Sequence, residues 1–312
     1  MTAPPSLEDL YLRMLQIRLI EEELLRAVQD GRVTGSTHLC IGQEAIPVGT
    51  CAALGPNDPV VATYRGHGWA LSRGVPAEEL LAEVFGRDSD LNGGRAGSAY
   101  LSGPQYGFYG ENSIVGAGVP IALGLAMACN RLGGNRIPVV SIGDGAMNQG
   151  NVHESLNMAS VLNIPLIVVV ENNGYVEMTP SATLTAVPAA ARAAAYSIIA
   201  MEVDGNDPLA VAATVSDARE AALQKSAPVL VEAHTRRLGG HYSGDAQQYR
   251  PAGELEGWRA TDPLTLARSQ LTSEAAARCE QQAEGAVSAA LALAEGMPTP
   301  NVEEVMTHVF SG

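Results

Sequence analysis

Residues 137–175 read IPVVSIGDGAMNQGNVHESLNMASVLNIPLIVVVENNGY, and this stretch decides the fold. It contains two short apolar runs rich in β-branched residues, each ending in glycine, aspartate or asparagine. A helical pattern from about Gly150 to Leu162 lies between the runs. Strands that are apolar along their whole length are typical of parallel sheets buried on both faces. The stretch therefore predicts one strand–helix–strand unit with parallel strands.

The residues on either side continue the same alternation. Two further strands are expected at Ile198–Val203 and Val229–Ala233, with a helix at Leu209–Lys225 between them. Upstream, Pro120 is well placed as the first residue of a helix that runs to about Leu132. This alternation predicts an α/β fold, namely a doubly wound, mostly parallel sheet.

The remaining parts of the chain are helical or irregular. A helix is expected over about residues 6–30, and the alanine-rich tail over about residues 262–312 is expected to be a helical extension. Residues 57–74 are loop-rich, and residues 89–113 are rich in glycine, serine and asparagine with little periodicity. Long irregular segments inside a domain are usually functional or mobile. We expect residues 1–312 to form one domain, although the length also allows two.

Composition excludes several classes of partner and site. The 312 residues include 19 Lys and Arg against 34 Asp and Glu, and this net charge of −15 argues against a nucleic acid partner. The four cysteines have no CxxC spacing, so neither a zinc site nor a disulfide framework is expected. The N-terminus lacks the pattern of a secretory signal, and the longest uncharged stretch suits a packed helix better than a membrane span. We therefore expect a cytoplasmic protein without membrane contacts.

Polar residues follow both apolar runs of the opening stretch. Asp144 ends the first run and Asn173 ends the second, 29 residues later, which is about one strand–helix–strand unit. Their side chains should meet at one edge of the sheet, on strands ~4.8 Å apart, where they could share a hard cation. Gly143 and Gly145 would leave the next helix N-terminus open to an anion. Either motif alone is typical of an ordinary turn, but together they predict a divalent cation held between protein oxygens and a diphosphate.

The GDG…NN segment resembles the thiamine-diphosphate motif, specifically that of the alpha subunit of the decarboxylating component of 2-oxo acid dehydrogenase complexes. The pyruvate and acetoin types are the most similar. Further motifs of that family occur in the same order along the chain: THLCIGQEA, YRGHG, GGRAGSAYL, SIVGAGVPIALGLAMA, VDGNDPLAV, GGHYSGD, YR and DPL. The resemblance implies the diphosphate-binding half of the thiamine-diphosphate-binding fold.

The resemblance also implies ligands for Mg²⁺ and for the diphosphate. By similarity, the Asp144 carboxylate, the Asn173 side chain and the backbone carbonyl of Tyr175 would bind Mg²⁺. The backbone N–H groups of Gly145 and Ala146 would donate to the diphosphate.

Residues outside the GDG…NN segment match other cofactor contacts of the family. Tyr64 and Arg65 of YRGHG correspond to phosphate contacts, and the planar fork of Arg suits phosphate oxygens. Ser113 and Val115 correspond to residues that contact the aminopyrimidine ring of thiamine diphosphate.

Two of the six histidines match catalytic positions of the family. His38 and His241 correspond to residues near the reacting carbon and the diphosphate, so His241 is implied to bind cofactor as well. Imidazole suits this position because 2-oxo acid chemistry needs proton donors and acceptors near neutral pH. The other histidines are interpreted as structural: His67, His153, His234 and His308.

The resemblance further implies that the chain works with partners. In this family a beta chain supplies the glutamate that activates the cofactor, and the assembly is α₂β₂. A lipoyl acyltransferase accepts the acyl group, and the substrate is a small 2-oxo acid. Nothing in the sequence resembles the beta chain's domain, so we expect the chain to be catalytically incomplete alone.

Some substrate-side residues depart from the family pattern. Tyr100 stands where the family commonly has a histidine, in the motif GSMH. Glu177 adds a carboxylate in a segment that usually reads GYGIS, and Ser197 replaces a usual glycine. Tyr100 favours an alternative in which the chain belongs to a non-oxidative acyloin or ketol transferase, or a decarboxylase, without a lipoyl partner. A non-catalytic subunit is a third possibility, which the intact Asp144 and its companion residues disfavour.

Overall fold

The structure is a computed structural model, and it describes residues 5–307 of the chain. This range contains eight strands: β1 (Val60–Thr63), β2 (Phe108–Asn112), β3 (Val139–Gly143), β4 (Ile167–Asn172), β5 (Tyr175–Val176), β6 (Thr179–Pro180), β7 (Ile199–Asp204) and β8 (Val229–His234). The helices are α1 (Leu7–Gln29), α2 (Ala45–Ala53), α3 (His67–Arg73), α4 (Ala77–Val84), α5 (Gly118–Leu132), α6 (Gly150–Val161), α7 (Ala189–Ala193), α8 (Pro208–Lys225), α9 (Glu254–Arg259), α10 (Pro263–Ser269) and α11 (Ser273–Gly296). No helix within residues 5–307 is both long enough and apolar enough to cross a bilayer.

Six strands form one sheet in the order β2-β1-β3-β4-β8-β7, and all neighbouring strands are parallel. β5 and β6 form a separate antiparallel hairpin. The strand order reverses at β1, because β2 lies on one side of it and β3 on the other. In open parallel sheets, ligands bind outside the carboxyl ends of the strands at such a reversal. The topology therefore predicts a ligand site at the carboxyl ends of the strands beside β1.

Both faces of the sheet are buried, as the apolar runs predict. Val139 and Ile167 belong to one hydrophobic core, which also contains residues of α1 and α8. Val140 and Val168, their neighbours along the strands, belong to a second core with residues of α5 and α6. Because successive side chains of a strand point to opposite faces, two layers of helices can each bury one face. The expected doubly wound α/β fold is confirmed.

Most predicted elements agree with the structure to within a residue or two. The first helix begins after Ser6, whose Oγ accepts a hydrogen bond from the backbone N–H of Asp9 at 3.1 Å. The prediction for Pro120 is wrong by two residues, because α5 begins at Gly118 and places this proline at its third position. A proline is tolerated there, since the first-turn N–H groups have no partners within a helix. The helical tail is observed up to α11 and a short 3₁₀ turn at Val302–Met306, and residues 308–312, including His308, lie outside the described range.

Two strands of the six-stranded sheet, β1 and β2, were not predicted, and neither was the short β5–β6 hairpin. The loop-rich residues 57–74 contain β1 and α3, and the irregular residues 89–113 contain β2. β1 has only four residues, and β2 reads FYGEN, which has neither alternation nor a continuous apolar run. These strands are defined by pairing with distant parts of the chain, and sequence periodicity does not report such pairing.

Candidate active site

A cavity of about 430 Å³ opens at the carboxyl ends of β1, β3 and β4. It lies beside the reversal of strand order at β1. Every residue for which the sequence predicts a role lines it: His38, Tyr64, Arg65, Ser113, Val115, Asp144, Gly145, Ala146, Asn173, Tyr175 and His241. The predicted residues are therefore gathered around one space, although the chain brings them from six separate segments.

Asp144 provides the carboxylate of the cavity. It follows β3 directly and begins a short 3₁₀ helix, and its carboxylate accepts hydrogen bonds from Ser181 Oγ and from the backbone N–H of Gly145 at 3.0 Å. Burial raises the pKa of this carboxyl, since a charge in an apolar environment loses its hydration. A bound cation would offset that cost, so the carboxylate is suited to a metal ion.

Asn173 and the Tyr175 backbone lie at the end of the neighbouring strand β4. The Asn173 side chain donates from Nδ2 to Gln43 Oε1 at 2.8 Å and accepts at Oδ1 from the Tyr175 N–H at 3.1 Å. An amide oxygen has two lone pairs, so one remains for a cation. Tyr175 stands opposite Pro180 in the antiparallel hairpin, next to the pair in which the Ser181 N–H donates to the Gly174 carbonyl at 3.0 Å. Hydrogen-bonded and non-hydrogen-bonded pairs alternate, so the Tyr175 carbonyl points away from the partner strand.

These groups match the ligand preferences of a hard divalent cation. Residues 5–307 contain no group of three His, Cys, Asp or Glu side chains that could hold a metal on their own. A site built from one carboxylate, one amide and one backbone carbonyl needs ligands from elsewhere, and diphosphate oxygens are the kind that Mg²⁺ takes. The donor set therefore fits Mg²⁺ in the company of a phosphate ligand.

Gly145 is required by close packing beside Asp144. A Cβ atom at this position would lie 2.6 Å from Val176 Cγ1 on the β5–β6 hairpin. Any larger residue would push the hairpin away from the strand end. The glycine thus lets the hairpin that carries Tyr175 pack directly against the residue after Asp144.

Three aromatic rings that line the cavity, those of His38, Tyr64 and His241, pack against one another. The His38 ring centroid lies 4.5 Å from that of Tyr64 and 5.0 Å from that of His241, both in edge-to-face geometry. Burial, together with the positive charge of Arg65, lowers the pKa of His38 to about 3 and that of His241 to about 4. Both imidazoles are therefore neutral at physiological pH, and each can donate or accept a proton at its ring nitrogens.

Arg65 is buried and uses its guanidinium as a clamp between chain segments. Nη1 donates to the backbone carbonyl of Leu39 at 2.5 Å, and Nη2 donates to the carbonyl of His241 at 2.9 Å. The predicted phosphate contact therefore has two of its five N–H groups already bound within the protein. Its charge still faces the cavity, where it lowers the pKa of both histidines.

The segment that carries His241 is held by a second arginine. Arg237 donates from Nη2 to the Glu177 carbonyl at 2.9 Å and to the Tyr249 hydroxyl at 2.8 Å. Its Nη1 lies 3.5 Å from His241 Nδ1. The Asp245 carboxylate accepts a hydrogen bond from the backbone N–H of His241 at 2.6 Å. Both the backbone and the imidazole of His241 therefore have neighbours that hold them in place.

Three buried polar atoms that line the cavity have no hydrogen-bond partner among the described residues. They are His38 Nδ1, Gln43 Nε2 and Arg237 Nε. Buried polar groups are normally hydrogen-bonded, and an unpaired one costs about 1–3 kcal/mol. Two of these atoms, on Gln43 and Arg237, are N–H donors, so the cavity is suited to a ligand rich in acceptor oxygens.

Ser113 and Val115 lie where the cavity opens to solvent. Val115 is 43% exposed, and its neighbour Ile114 is 69% exposed. Tyr100, the predicted departure from the family pattern, is 59% exposed and does not line the cavity. Glu177 does line it, and its backbone has a φ of +56°, which is rare for a residue other than glycine.

Several polar residues of the cavity were not predicted from the sequence, among them Gln43, Glu171 and Arg237. Glu171 is the penultimate residue of β4, and its carboxylate accepts from Trp69 Nε1 at 2.8 Å and from Ser141 Oγ. Glutamate inside an apolar strand is a signal that could have singled it out, because charged residues are almost never fully buried unless paired. Gln43 lies within the quoted THLCIGQEA motif, whereas no local pattern marks Arg237.

Comparison with known proteins finds relatives over nearly the whole chain. The family model described as dehydrogenase E1 component matches residues 12–303. The acetoin:2,6-dichlorophenolindophenol oxidoreductase alpha subunit of Bacillus subtilis is 36% identical over 307 residues, which are 96% of this chain and 92% of the relative. The pyruvate dehydrogenase E1 component alpha subunit of Rhizobium meliloti is 35% identical over 308 residues, which are 96% of this chain and 88% of the relative.

Proposed function

This chain belongs to the dehydrogenase E1 component family, and we propose that it is the alpha subunit of a thiamine-diphosphate-dependent 2-oxo acid dehydrogenase of the pyruvate or acetoin type. Its role would be to help decarboxylate or cleave the substrate and to pass the acyl group to a lipoyl carrier. The proposal rests above all on the cavity at the strand ends, where Asp144 and Asn173 lie beside buried donors that have no partner in residues 5–307.

Within this proposal, residues at the ends of β3 and β4 hold the metal and the diphosphate. The Asp144 carboxylate, the Asn173 amide oxygen and the Tyr175 carbonyl would bind Mg²⁺. The N–H groups of Gly145 and Ala146 would donate to the diphosphate, because they lie at the start of a helical turn. The net charge of −15 does not oppose an anionic ligand, since the cation supplies the local positive field.

Other residues of the cavity lining would complete the contacts to the cofactor. Tyr64, Arg65 and His241 would face the phosphates, and Ser113 and Val115 would contact the aminopyrimidine ring. When bound, thiamine diphosphate supplies a nucleophilic carbon that adds to the substrate carbonyl and an electron sink for the loss of CO₂.

His38 and His241 would handle protons for this chemistry. Each is neutral at physiological pH because its pKa lies well below 6.5, so neither repels the positive charge of Arg65. A neutral imidazole can donate a hydrogen bond to a substrate oxygen from one nitrogen and accept a proton at the other. The unpartnered His38 Nδ1 is available for either task.

A partner chain is part of the proposal. Ile114 and Val115, at the open side of the cavity, expose apolar surface that a second subunit would cover. We propose that this subunit is a beta chain that supplies the activating glutamate in an α₂β₂ assembly, and that residues 1–312 form one diphosphate-binding domain. A cytoplasmic location is supported by the four cysteines, which are all buried and unpaired.

Calorimetry tests the cofactor and the metal. The chain, co-purified with its beta partner, is titrated with thiamine diphosphate in the presence of Mg²⁺ and again in excess EDTA. We expect binding with Mg²⁺ and at least a tenfold loss of affinity without it. The absence of binding under both conditions would overturn the proposal and favour a non-catalytic subunit.

Tyr100 supports a second candidate, a non-oxidative acyloin or ketol transferase or decarboxylase that needs no lipoyl partner. Its phenol is 59% exposed, in a segment where the family commonly has a histidine. The two candidates differ in the fate of the acyl group. With the beta chain present, reduction of an artificial electron acceptor by a 2-oxo acid or by acetoin supports the dehydrogenase, whereas carboligation products without reduction support the alternative.

A further inference from the structure

Two fully buried ionisable side chains lie outside the cavity and have no part in the proposed chemistry. They are Glu21, on α1, and His67, the first residue of α3. Glu21 Oε1 lies 2.8 Å from His67 Nδ1, and both side chains are completely shielded from solvent. A buried pair of this kind is weak as a source of stability, because each charge loses its hydration. The pair is therefore expected to have a role other than stabilising the fold.

Glu21 connects two segments that carry cavity residues. Its second oxygen, Oε2, accepts a hydrogen bond from the Cys40 N–H at 2.8 Å. Cys40 is two residues from His38 and directly follows Leu39, whose carbonyl accepts from Arg65. His67 itself is two residues from Arg65. The Glu21 carboxylate thus links the segment that carries His38 to the turn that carries Arg65, without lining the cavity itself.

His67 extends the connection to a third segment. Its Nε2 lies 2.9 Å from Ser98 Oγ, within the glycine-rich stretch that carries Tyr100. Burial opposes protonation of His67, but the charge and hydrogen bond of Glu21 outweigh it and raise the pKa of the imidazole. When charged, the ring donates from both nitrogens, so both bonds can form at once.

We propose that Glu21 and His67 are positioning residues that fix His38 and Arg65 relative to each other at the cavity and hold the Ser98 segment against them. Neither side chain lines the cavity, so neither touches a ligand there. The pair acts through the backbone of Cys40 and through the turn that joins Arg65 to α3. The inference rests on the proposed function only in assuming that the positioned groups face the cofactor.

Two substitutions of Glu21 separate positioning from mere occupancy of space. Glu21→Gln can still satisfy both neighbours: its oxygen accepts from the Cys40 N–H, and its amide donates to Nδ1 of a neutral His67. Glu21→Leu has a similar volume but can satisfy neither. We expect thiamine diphosphate affinity within about twofold of the unmodified chain for Gln, and a loss of about 10- to 100-fold for Leu, as when an orienting hydrogen bond is removed.

A third substitution needs neither cofactor nor activity and covers the case in which Glu21→Leu fails to fold. Ser98→Ala removes only the hydroxyl at the far end of the connection, and Ser102→Ala, on the same stretch, is the matched control. Amide hydrogen exchange in residues 94–101 of the full chain is expected to be about tenfold faster in Ser98→Ala than in the control. Equal exchange in both variants would overturn the inference.

The calorimetric outcomes separate this inference from the proposed function. If the unmodified protein binds thiamine diphosphate and folded Glu21→Leu binds it equally well, the positioning pair is wrong and the function stands. If the unmodified protein does not bind, the function is wrong, and the exchange comparison of Ser98→Ala with Ser102→Ala still decides the positioning pair.

Discussion

Arg65 donates a hydrogen bond from Nη2 to the backbone carbonyl of His241 at 2.9 Å, across 176 residues of chain. The same guanidinium donates to the carbonyl of Leu39, beside His38. Three of the predicted cavity residues are therefore connected through one side chain. Arg65 acts as a structural clamp as well as a candidate phosphate ligand.

Arg65→Lys is expected to weaken both roles. A lysine keeps the charge but cannot span two carbonyls with a planar fork, so at least one bond of about 1.5–3 kcal/mol is lost. We expect a lower melting temperature and at least a tenfold loss of thiamine diphosphate affinity, measured by calorimetry. Arg131→Lys, at an exposed position near the end of α5, serves as the control and should change neither quantity.

His38 and His241 are expected to stay neutral where an ordinary histidine would titrate. Burial and then Arg65 lower their pKa values to about 3 and about 4, so their imidazole NMR signals should not move between pH 5 and pH 8. Because the unfolded chain binds these protons near pH 6.5 and the folded chain does not, they cost stability as the pH falls below about 6.5.

Replacing His241 tests the sign of this linkage. His241→Gln cannot be protonated, so the variant should lose less stability than the unmodified chain between pH 6.5 and pH 4. Urea unfolding at several pH values measures the difference. Parallel curves for the two proteins would show that the pKa of His241 is not lowered.

Glu111 should make stability depend on pH in the opposite direction. Burial raises its pKa to about 8, so the folded chain keeps the carboxyl protonated while the unfolded chain releases the proton near pH 4.5. This contribution to stability is complete below pH 4.5 and is lost as the pH rises through about 8, with a slope of at most about 1.4 kcal/mol per pH unit.

Glu111→Gln mimics the neutral acid and should remove that slope. The variant is expected to gain stability relative to the unmodified chain as the pH rises from 5 to 9. Glu284→Gln, at an exposed position of α11, is the control, and its stability should depend on pH in the same way as that of the unmodified chain. Unfolding by urea at each pH provides the comparison, and a difference that does not grow with pH would contradict the raised pKa of Glu111.

Asp144→Asn should separate stability from ligand binding. The amide can accept from the Gly145 N–H and donate to Ser181 Oγ, so it keeps the contacts of the carboxylate without its buried charge. We expect a melting temperature equal to or above that of the unmodified chain, with at least a hundredfold loss of Mg²⁺-dependent thiamine diphosphate binding. Asp217→Asn, exposed on α8, should leave both unchanged.

Arg250→Lys is expected to loosen the segment that carries His241. The Arg250 guanidinium donates to the carbonyls of Arg237 and Gly239 at 2.9 and 2.7 Å, and it lies 5.0 Å from the Trp258 ring. A lysine cannot reproduce both bonds and stacks less well. Hydrogen exchange in residues 239–249 should become about tenfold faster, while exchange in the six-stranded sheet should not change, because the hydrogen bonds of Arg250 are made to Gln247, Glu254, Arg237 and Gly239, outside that sheet.

Local sequence carried much of the fold and part of the candidate site. Asp144 and Asn173 could be placed together because each follows an apolar run and because parallel strands end at a common edge. The same reasoning missed β1 and β2, whose short or polar sequences have no period of their own. It also could not locate Arg237, because this residue reaches the cavity through contacts with Glu177 and Tyr249 that no nearby pattern encodes.

By itself, the sequence determined the alternation of buried strands and helices, the edge at which a metal and a phosphate ligand would meet, and the family resemblance carried by the ordered motifs. These features depend on neighbouring residues, through strand periodicity, helix capping and turn chemistry. Only the tertiary structure decided that Arg65 clamps the His38 and His241 segments and that both imidazoles are neutral. It also decided that Glu21 and His67 form a buried pair outside the cavity, next to the segments of His38 and Arg65. Such properties depend on burial and on charges brought together from distant segments, and these exist only once the chain is folded.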